Sequence, residues 1–358
     1  MMSYSKIHPQ FRLNGVSLTA GDLLEVGYSL VKEGEPYEWE IGDFLLDWLS
    51  GQADVPVYSS GSTGSPGLFR LKKEHMVHSA LATGRYFGLL PGNTALLCLP
   101  ARYIAGKMML VRAMVLGLSL DCCNPSSAPL KAMDGPYDFC AMVPQQFLNS
   151  LEDMGRIKKT IIGGAPLGEN GVAAAQSLSS EVYETFGMTE TITHIAVRRI
   201  NPFQPLFETL PGVRVAVDPR GCLIVHAPDI APDPVMTNDL VRLETDRAFE
   251  WLGRFDHMIN SGGIKLMPEQ IEKKLQAAIP GRFFVTGLPD ETLGQKLVVV
   301  LESETDPEVL MQKLRGLGSL APYEIPREVF SIPAFANTGS GKIDRKATLR
   351  RLENEGNV

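Results

Sequence analysis

Long apolar runs, paired cysteine motifs and an excess of positive charge are all missing from this chain of 358 residues. The most apolar stretch, Met108 to Leu120, is broken by Arg112 and falls short of the roughly 20 residues a membrane-spanning helix needs, so no membrane insertion is expected. The opening residues, MMSYSKIHPQFRL, hold no uninterrupted apolar core of the kind a signal peptide requires. Five cysteines, Cys98, Cys122, Cys123, Cys140 and Cys222, are odd in number and nowhere spaced C-x-x-C. That pattern argues against a structural zinc site or a thiol redox motif and fits a reducing, cytoplasmic setting. With 34 Lys and Arg against 41 Asp and Glu, the formal charge is -7, which argues against the concentrated basic surface that nucleic acid demands. The local basic run of Arg345, Lys346, Arg350 and Arg351 reads as one solvated helix face. No internal repeat or low-complexity segment stands out, and no Walker A loop is present: Gly341-Lys342 is followed by Ile343, with Ala336 at the first glycine position.

What remains is an ordinary globular composition, 44% hydrophobic and 21% charged, at a length that suits one large and one small domain. Val55 to Tyr58 reads as a strand entering a glycine-rich loop, with a helix from Glu74 to Phe87 after it. Apolar runs at Ala95 to Leu99, Leu116 to Cys122, Phe139 to Val143, Thr160 to Ile162 and Glu181 to Thr185 alternate with helix-like segments at Lys107 to Val115 and Gln145 to Met154. That alternation predicts a largely parallel α/β sheet. From about Arg198 to Arg247 the proline and glycine punctuation predicts twisted antiparallel strands, read as a smaller β subdomain. After Gly253 a compact α+β set is expected: helix Pro268 to Ile279, strands Phe283 to Leu288 and Lys296 to Glu302, helix Pro307 to Leu317 and strand Arg327 to Ile332. The expected division is 1–254 and 255–358, with the boundary near Asp256.

Several segments have the chemistry of nucleotide handling. In SSGSTGSPG, Ser59 to Gly67, three glycines let backbone N–H groups approach an anion while Ser59, Ser60, Ser62 and Thr63 donate hydrogen bonds; a flexible polar loop is the plain alternative. EVYETFGMTET ends in Thr189 and Glu190, a hydroxyl and a carboxylate suited to nucleotide-bound Mg²⁺. Gly163-Gly164-Ala165-Pro166-Leu167 makes a nearly side-chain-free turn that a flat base could approach, or a simple β-turn. Asp239 in MTNDL could accept from two ribose hydroxyls and Arg254 could donate to the same sugar, or the two could form a surface ion pair. Lys342, in a glycine-rich segment near the C-terminus, could neutralise charge developing on a phosphate, or simply be an exposed lysine.

Taken in order, SSGSTGSPG, ETFGMTE, TNDL, GRFDHMINSGGIKLMPEQIE, GLPDETLGQKLVVV and GSGKIDRKATL resemble the adenylate-forming superfamily of acyl-CoA synthetases, luciferase and peptide-synthetase adenylation domains, over about Val55 to Leu349. The run LPARYIAGKMMLVRAMVLG, with MVPQQFLNSL and IIGGAPL, is most similar to the o-succinylbenzoate–CoA ligases of menaquinone synthesis. The resemblance implies the adenylate-forming fold, here an α/β and α+β multidomain chain with a shortened N-terminal domain and a small mobile C-terminal domain. It implies ATP, Mg²⁺ and CoA acting on a small-molecule carboxylic acid, with a homodimer possible. Under it, Ser59, Ser60, Gly61, Ser62, Thr63 and Gly64 hold phosphates, Thr63, Thr189 and Glu190 the metal, and Gly163, Gly164, Ala165, Phe186 and Gly187 the adenine. Asp239 and Arg254 would hold the ribose, Lys342 the α-phosphate, Arg112 and then Lys107 a second substrate carboxylate, with Ser261, Gly262 and Gly263 at the CoA arm and Asp256 as the hinge. Alternatives left open are another aryl- or acyl-CoA ligase and a degenerate nucleotide-binding regulatory protein. Three departures stand out. Gly67 replaces the family's usual lysine, with Lys72 or Lys73 as possible substitutes; Phe186 replaces a tyrosine; and about 55 residues precede the phosphate loop where relatives carry a whole subdomain.

Overall fold

A computed structural model describes residues 7–58, 67–303, 307–337 and 343–354. The chain begins with short strands β1 (Arg12–Leu13) and β2 (Val16–Ser17), then a helical hairpin, α1 (Ala20–Glu33) and α2 (Pro36–Leu49), for which the sequence analysis made no prediction. Thr19 and Asp22 form a reciprocal capping box that starts α1, and Pro36 opens α2 at a position where its missing N–H costs nothing. Phe44, Leu45 and Trp48 of α2 are fully buried, so this hairpin belongs to the main core rather than hanging from it.

Next come β3 (Asp54–Tyr58), β4 (Leu68–Lys72), α3 (Lys73–Phe87), β5 (Thr94–Leu97), α4 (Ile104–Leu116), β6 (Ser119–Cys122), β7 (Tyr137–Met142), α5 (Pro144–Leu148), β8 (Ile157–Ile162), α6 (Gly168–Gln176) and β9 (Glu181–Gly187). Strands β6, β5, β7, β8 and β9 lie side by side and parallel, as the alternation predicted, with β1 added in parallel beyond β6. Helix α4 is wrapped on all sides: Met108, Met109, Leu110, Val111, Ala113 and Met114 are all fully buried. The helix expected over Gln145 to Met154 is shorter than predicted. α5 stops at Leu148 and a 3₁₀ turn spans Leu151–Arg156.

Antiparallel strands follow: β10 (His194–Arg199), β11 (Phe207–Thr209), β12 (Arg214–Val217), β13 (Cys222–His226), β14 (Val235–Thr245) and β15 (Ala248–Arg254). They were read as a separate subdomain, but β10 pairs directly with β9, so they prolong the same sheet. Its 13 described strands run in the order β12-β13-β14-β15-β11-β10-β9-β8-β7-β5-β6-β1-β2.

A second sheet starts after Arg254, from β16 (Ile259–Ser261), β17 (Ile264–Leu266), α7 (Pro268–Leu275), β18 (Phe283–Asp290), β19 (Gly294–Glu302), α8 (Pro307–Arg315), β20 (Glu328–Ile332) and α9 (Arg345–Asn354). Alternation along its strands makes two cores. Val285, Leu297 and Val299 meet Ile271 and Leu275 of α7 and Leu314 of α8, while Phe284 and Val300 meet Phe335 and Leu352 of α9.

The α1–α2 crossing is close because Gly27 faces Gly42: a Cβ at Gly42 would lie 2.7 Å from the Gly27 carbonyl oxygen and 2.9 Å from Leu30 Cβ. Gly42→Val is expected to lose about 1–3 kcal/mol by overpacking, read as a lower midpoint in chemical denaturation. A variant as stable as the parent would refute this packing.

Candidate functional site

Parallel α/β sheets present ligands at the carboxyl ends of their strands, and two sequence-predicted segments sit there side by side. β8 runs out into Gly163–Leu167 and β9 into Phe186–Gly187. A Cβ on Gly163 would come within 2.6 Å of Thr185 Oγ1, which donates to the Ile162 carbonyl at 3.1 Å, so only glycine lets these two strand ends close up. Gly164 and Ala165 are exposed. Glu184, which the sequence analysis did not single out, ties the turn down: its Oε1 accepts from the Leu167 N–H at 3.2 Å and its Oε2 from Arg198 Nε at 2.8 Å. Phe186 is half-buried, packed edge-on to Phe207 at 5.8 Å and Phe249 at 5.2 Å.

After Gly187 the chain makes a tight structure over Met188–Thr193. Thr191, fully buried, accepts from the Met188 N–H at 3.1 Å and has its Oγ1 within 3.0 Å of the Met188 carbonyl and 2.9 Å of the Thr193 carbonyl. Ile192 sits at φ 65° and ψ -60°, and the Thr193 N–H reaches back to the Thr191 carbonyl at 2.7 Å. This is the positive-φ γ-turn, a strained conformation for a β-branched residue and of a kind that clusters at functional sites. Its consequence is a change of side. Glu190 is exposed before the turn and His194 is buried after it.

His194 meets Arg112. The guanidinium is 1% exposed, and burial alone pushes it down to about 9, still charged at neutral pH. Its described polar neighbours are His194 Nδ1, 3.4 Å from Nη2, and the Met109 sulfur, 3.6 Å from Nη1; Nε has none. No carboxylate pairs with it among the described residues. Burial, with Arg112 beside it, holds His194 well below the usual imidazole range, so it is neutral. Lys107 does not join this group. Five positions along a helix turn it by roughly 140°, and its ammonium lies 4.9 Å from the Phe44 ring on α2, with Asp43 and Asp47 nearby.

Asp239 and Arg254 face each other across the β14–β15 ladder, 3.9 Å apart. Asp239 is 6% exposed and its pKa is raised by burial; Trp251 Nε1 donates to it at 3.0 Å. Arg254 in turn grips Asp256 through Nε at 3.0 Å. Just beyond, His257 Nδ1 lies 2.5 Å from Glu269 of α7, whose carboxylate packs against Gly253, and Gln270 Nε2 donates to the Leu252 carbonyl at 2.8 Å. Gly262 and Gly263, at φ 59° and 84°, form the two-residue turn of the β16–β17 hairpin after Ser261. That geometry accounts for both glycines as turn residues.

The glycine-rich segment differs in context from the strand–loop–helix arrangement predicted for it. β3 and β4 pair antiparallel, Tyr58 opposite Leu68 and Asp54 opposite Lys72, so the segment joins two strands of a hairpin. The extra strand was illegible because only Phe69 and Leu71 of its five residues turn inward. Ser59, Ser60, Gly61, Ser62, Thr63 and Gly64 lie outside the described residues, as does Lys342. Lys72 and Lys73 stand at the base of the hairpin, about 14 Å from its loop end at four residues' rise. Lys73 is buried, with its ammonium donating to the Ser50 carbonyl at 2.9 Å, where it meets the C-terminus of α2.

Sequence reasoning thus missed Glu184, His194, Trp251 and Glu269. An isolated histidine in an apolar strand carries no signal of its own, and His194 becomes legible only beside Arg112. No helix among the described residues is long and apolar enough to cross a membrane, and none of their acidic, His or Cys side chains cluster as a metal cage. A lone carboxylate such as Glu190 still suits Mg²⁺, which binds through one or two carboxylates plus substrate phosphates.

Comparison with known proteins agrees with this layout. Residues 55–222 match the model of the AMP-binding enzyme family. A "probable 2-succinylbenzoate–CoA ligase" of Mycobacterium tuberculosis is 27% identical over 325 residues, covering 84% of each chain. The solved O-succinylbenzoate coenzyme A synthetase (MenE) of Bacillus subtilis, in complex with ATP and magnesium ion, shares the fold at 18% identity and a TM-score of 0.72, over 94% of this chain and 83% of that one. An acyl-CoA synthetase (AMP-forming)/AMP-acid ligase II-like protein of Dyadobacter fermentans is 36% identical, with a TM-score of 0.61, over 91% of this chain and 97% of that one. With that identity over nearly the whole of both chains, this protein belongs to the AMP-binding enzyme family of adenylate-forming ligases.

Proposed function

We propose that the protein is an AMP-forming acid–CoA ligase that converts o-succinylbenzoate, ATP and CoA to o-succinylbenzoyl-CoA, AMP and pyrophosphate; its mycobacterial and bacillar relatives are named for joining that acid to CoA. The observation that carries the choice of acid is Arg112, a fully buried cation with no carboxylate partner among the described residues. A guanidinium in such surroundings favours an anion that brings its own geometry, and a bidentate carboxylate suits it. A substrate with two carboxylates would leave one for Arg112 and one for chemistry.

In the first step one carboxylate oxygen attacks the α-phosphorus, the P–O bond to the β-phosphate breaks, and pyrophosphate leaves. In the second, the CoA thiolate attacks the acyl carbon and AMP leaves. Glu190, with Thr189 and Thr63, would hold the magnesium that accompanies ATP, whose charge offsets that of the phosphates. Asp239 and Arg254 would hold the ribose; the exposed turn Gly163–Ala165 and the ring of Phe186 would line the base. Lys342 would neutralise the α-phosphate as charge builds, then leave as the chain pivots at Asp256 and Ser261–Gly263 comes to the CoA arm.

Pyrophosphate release is expected to depend on o-succinylbenzoate, and Arg112→Ala should raise KM for it by about 10-fold or more, the scale of a lost charged hydrogen bond. Turnover of benzoates or fatty acids in its place would overturn the assignment. Lys342→Ala should slow single-turnover adenylate formation by about 100-fold or more; an unchanged rate would remove Lys342 from the first step. Lys73→Met should cost about 1–2 kcal/mol of stability while leaving KM for ATP unchanged. A raised KM for ATP would instead make Lys73 the substitute for the family's phosphate-loop lysine.

A further inference from the structure

Beside Arg112 runs a chain of hydrogen bonds with a single direction. Thr83 Oγ1 donates to the Ser79 carbonyl one helical turn back, at 3.0 Å. Its proton is thereby spent, and toward His194 Nε2, 3.4 Å away, the hydroxyl can only accept. Nε2 must then carry the imidazole proton. At the other side of the ring, Arg112 Nη2 lies 3.4 Å from Nδ1, and a guanidinium has donors only, so Nδ1 must be the bare nitrogen. Two independent neighbours thus demand the same neutral tautomer. Thr83 and His194 are both buried, 0% and 4% exposed, so no solvent competes for these roles.

The chain also decides which part of Arg112 stays available. His194 takes one N–H of Nη2 and the Met109 sulfur weakly takes one of Nη1. Among the described residues nothing takes Nε–H or the second N–H on each terminal nitrogen, which leaves enough for a two-pronged grip on a carboxylate. The ring can hold this orientation because its backbone is fixed on both sides, by the Thr191-stapled γ-turn at Ile192 and by the pairing of His194 with Gly187.

We propose that His194 is a positioning residue for substrate choice: as the Nε2–H tautomer anchored by Thr83, it orients the Arg112 guanidinium so that the free N–H groups receive the non-reacting carboxylate of a dicarboxylic acid. The inference rests on the reading of Arg112 given above. His194 touches neither the reacting carboxylate nor the nucleotide in this role, so it acts on acid binding and not on the chemical step.

The test uses the full-length enzyme in acid-dependent pyrophosphate release, with o-succinylbenzoate and with its two monocarboxylate analogues, each lacking one of the acid groups and each read by turnover or by competition. His194→Leu, which keeps the volume and removes the acceptor, should raise KM for the dicarboxylate by about 10- to 50-fold, the scale of a lost hydrogen bond to a charged group. Its kcat should stay within about threefold, and the affinity for the analogue lacking the non-reacting acid should not change. His194→Asn, whose amide oxygen can stand in for Nδ1, should recover most of the lost affinity. Should His194→Leu fail to fold, Thr83→Val reads the same chain from its other end, with a smaller rise in KM confined to the dicarboxylate. Equal losses for the dicarboxylate and that analogue, a fall in kcat alone, or no recovery with Asn would each overturn the proposal. Arg112→Met, run in the same series, separates the two readings. If it leaves KM for the dicarboxylate unchanged, the substrate reading itself is wrong; if it abolishes the preference while the His194 and Thr83 variants behave as the parent, only the role of His194 falls.

Discussion

A buried cation with no carboxylate partner among the described residues is the constraint around which the centre of this molecule is arranged. Taking a charged group out of water costs several kcal/mol even after relaxation, and Arg112 sits in the middle of α4 among residues that are almost all apolar and fully buried. The offset visible among the described residues is small: one imidazole nitrogen and one thioether sulfur. Stability alone favours leucine or methionine at this position, since replacing buried charge by well-packed apolar volume is often neutral or stabilising. Retaining arginine is therefore a cost that binding must offset, and on the reading proposed here the non-reacting carboxylate does so.

The end proposed for the phosphates poses a different problem. The glycine-rich segment joins two strands instead of leading straight into α3, so the N-terminus of that helix lies at the far end of β4 and not at the segment itself. Two of the nearby cations are spent elsewhere, Arg70 on Asp54 at 2.8 Å and Lys73 on the end of α2, while Lys72 is exposed. Under the proposed function, this segment of serines, a threonine and glycines would hold its anion largely through backbone N–H groups and hydroxyls. On the proposed reading, positive charge at the phosphates comes from the metal and from Lys342, both of which arrive with a ligand or with a movement of the C-terminal part.

Long, strongly periodic segments were legible in the sequence: the parallel strands, α4 and the C-terminal α+β set all appear close to their predicted bounds. Three kinds of feature were not. β4 is half exposed, so its period is weak, and α5 stops early, with a 3₁₀ turn completing the segment read as one helix. The extension of the parallel sheet by β10 to β15 depends on pairing between β9 and β10, which no local pattern encodes. In the candidate site, Asp239 with Arg254 was legible as a pair because both lie in segments of recognisable content, and the ladder brings them together. Lys107 and Arg112 were both candidates, on the resemblance more than on any local pattern. The helix separates them, turning Lys107 to Phe44 and leaving Arg112 inside.

The short segment from Glu190 to His194 joins the two ends of the proposed chemistry through a strained turn. A positive-φ isoleucine costs on the order of 1–3 kcal/mol and persists only where its surroundings over-determine it. Here they do: Thr191 bonds on both sides of the turn and the Ile192 side chain is buried at 2% exposure. A relaxed loop of the same length could also expose Glu190 and bury His194, but it would let the two shift independently. On the proposed reading, the carboxylate offered to the metal and the imidazole that faces Arg112 are both presented from this one over-determined turn. In the proposed reaction, whose acid must meet the α-phosphate in line, the spacing along this turn would relate the place of the acid to that of the nucleotide. On that reading, the strain at Ile192 is the cost of holding two binding sites in register.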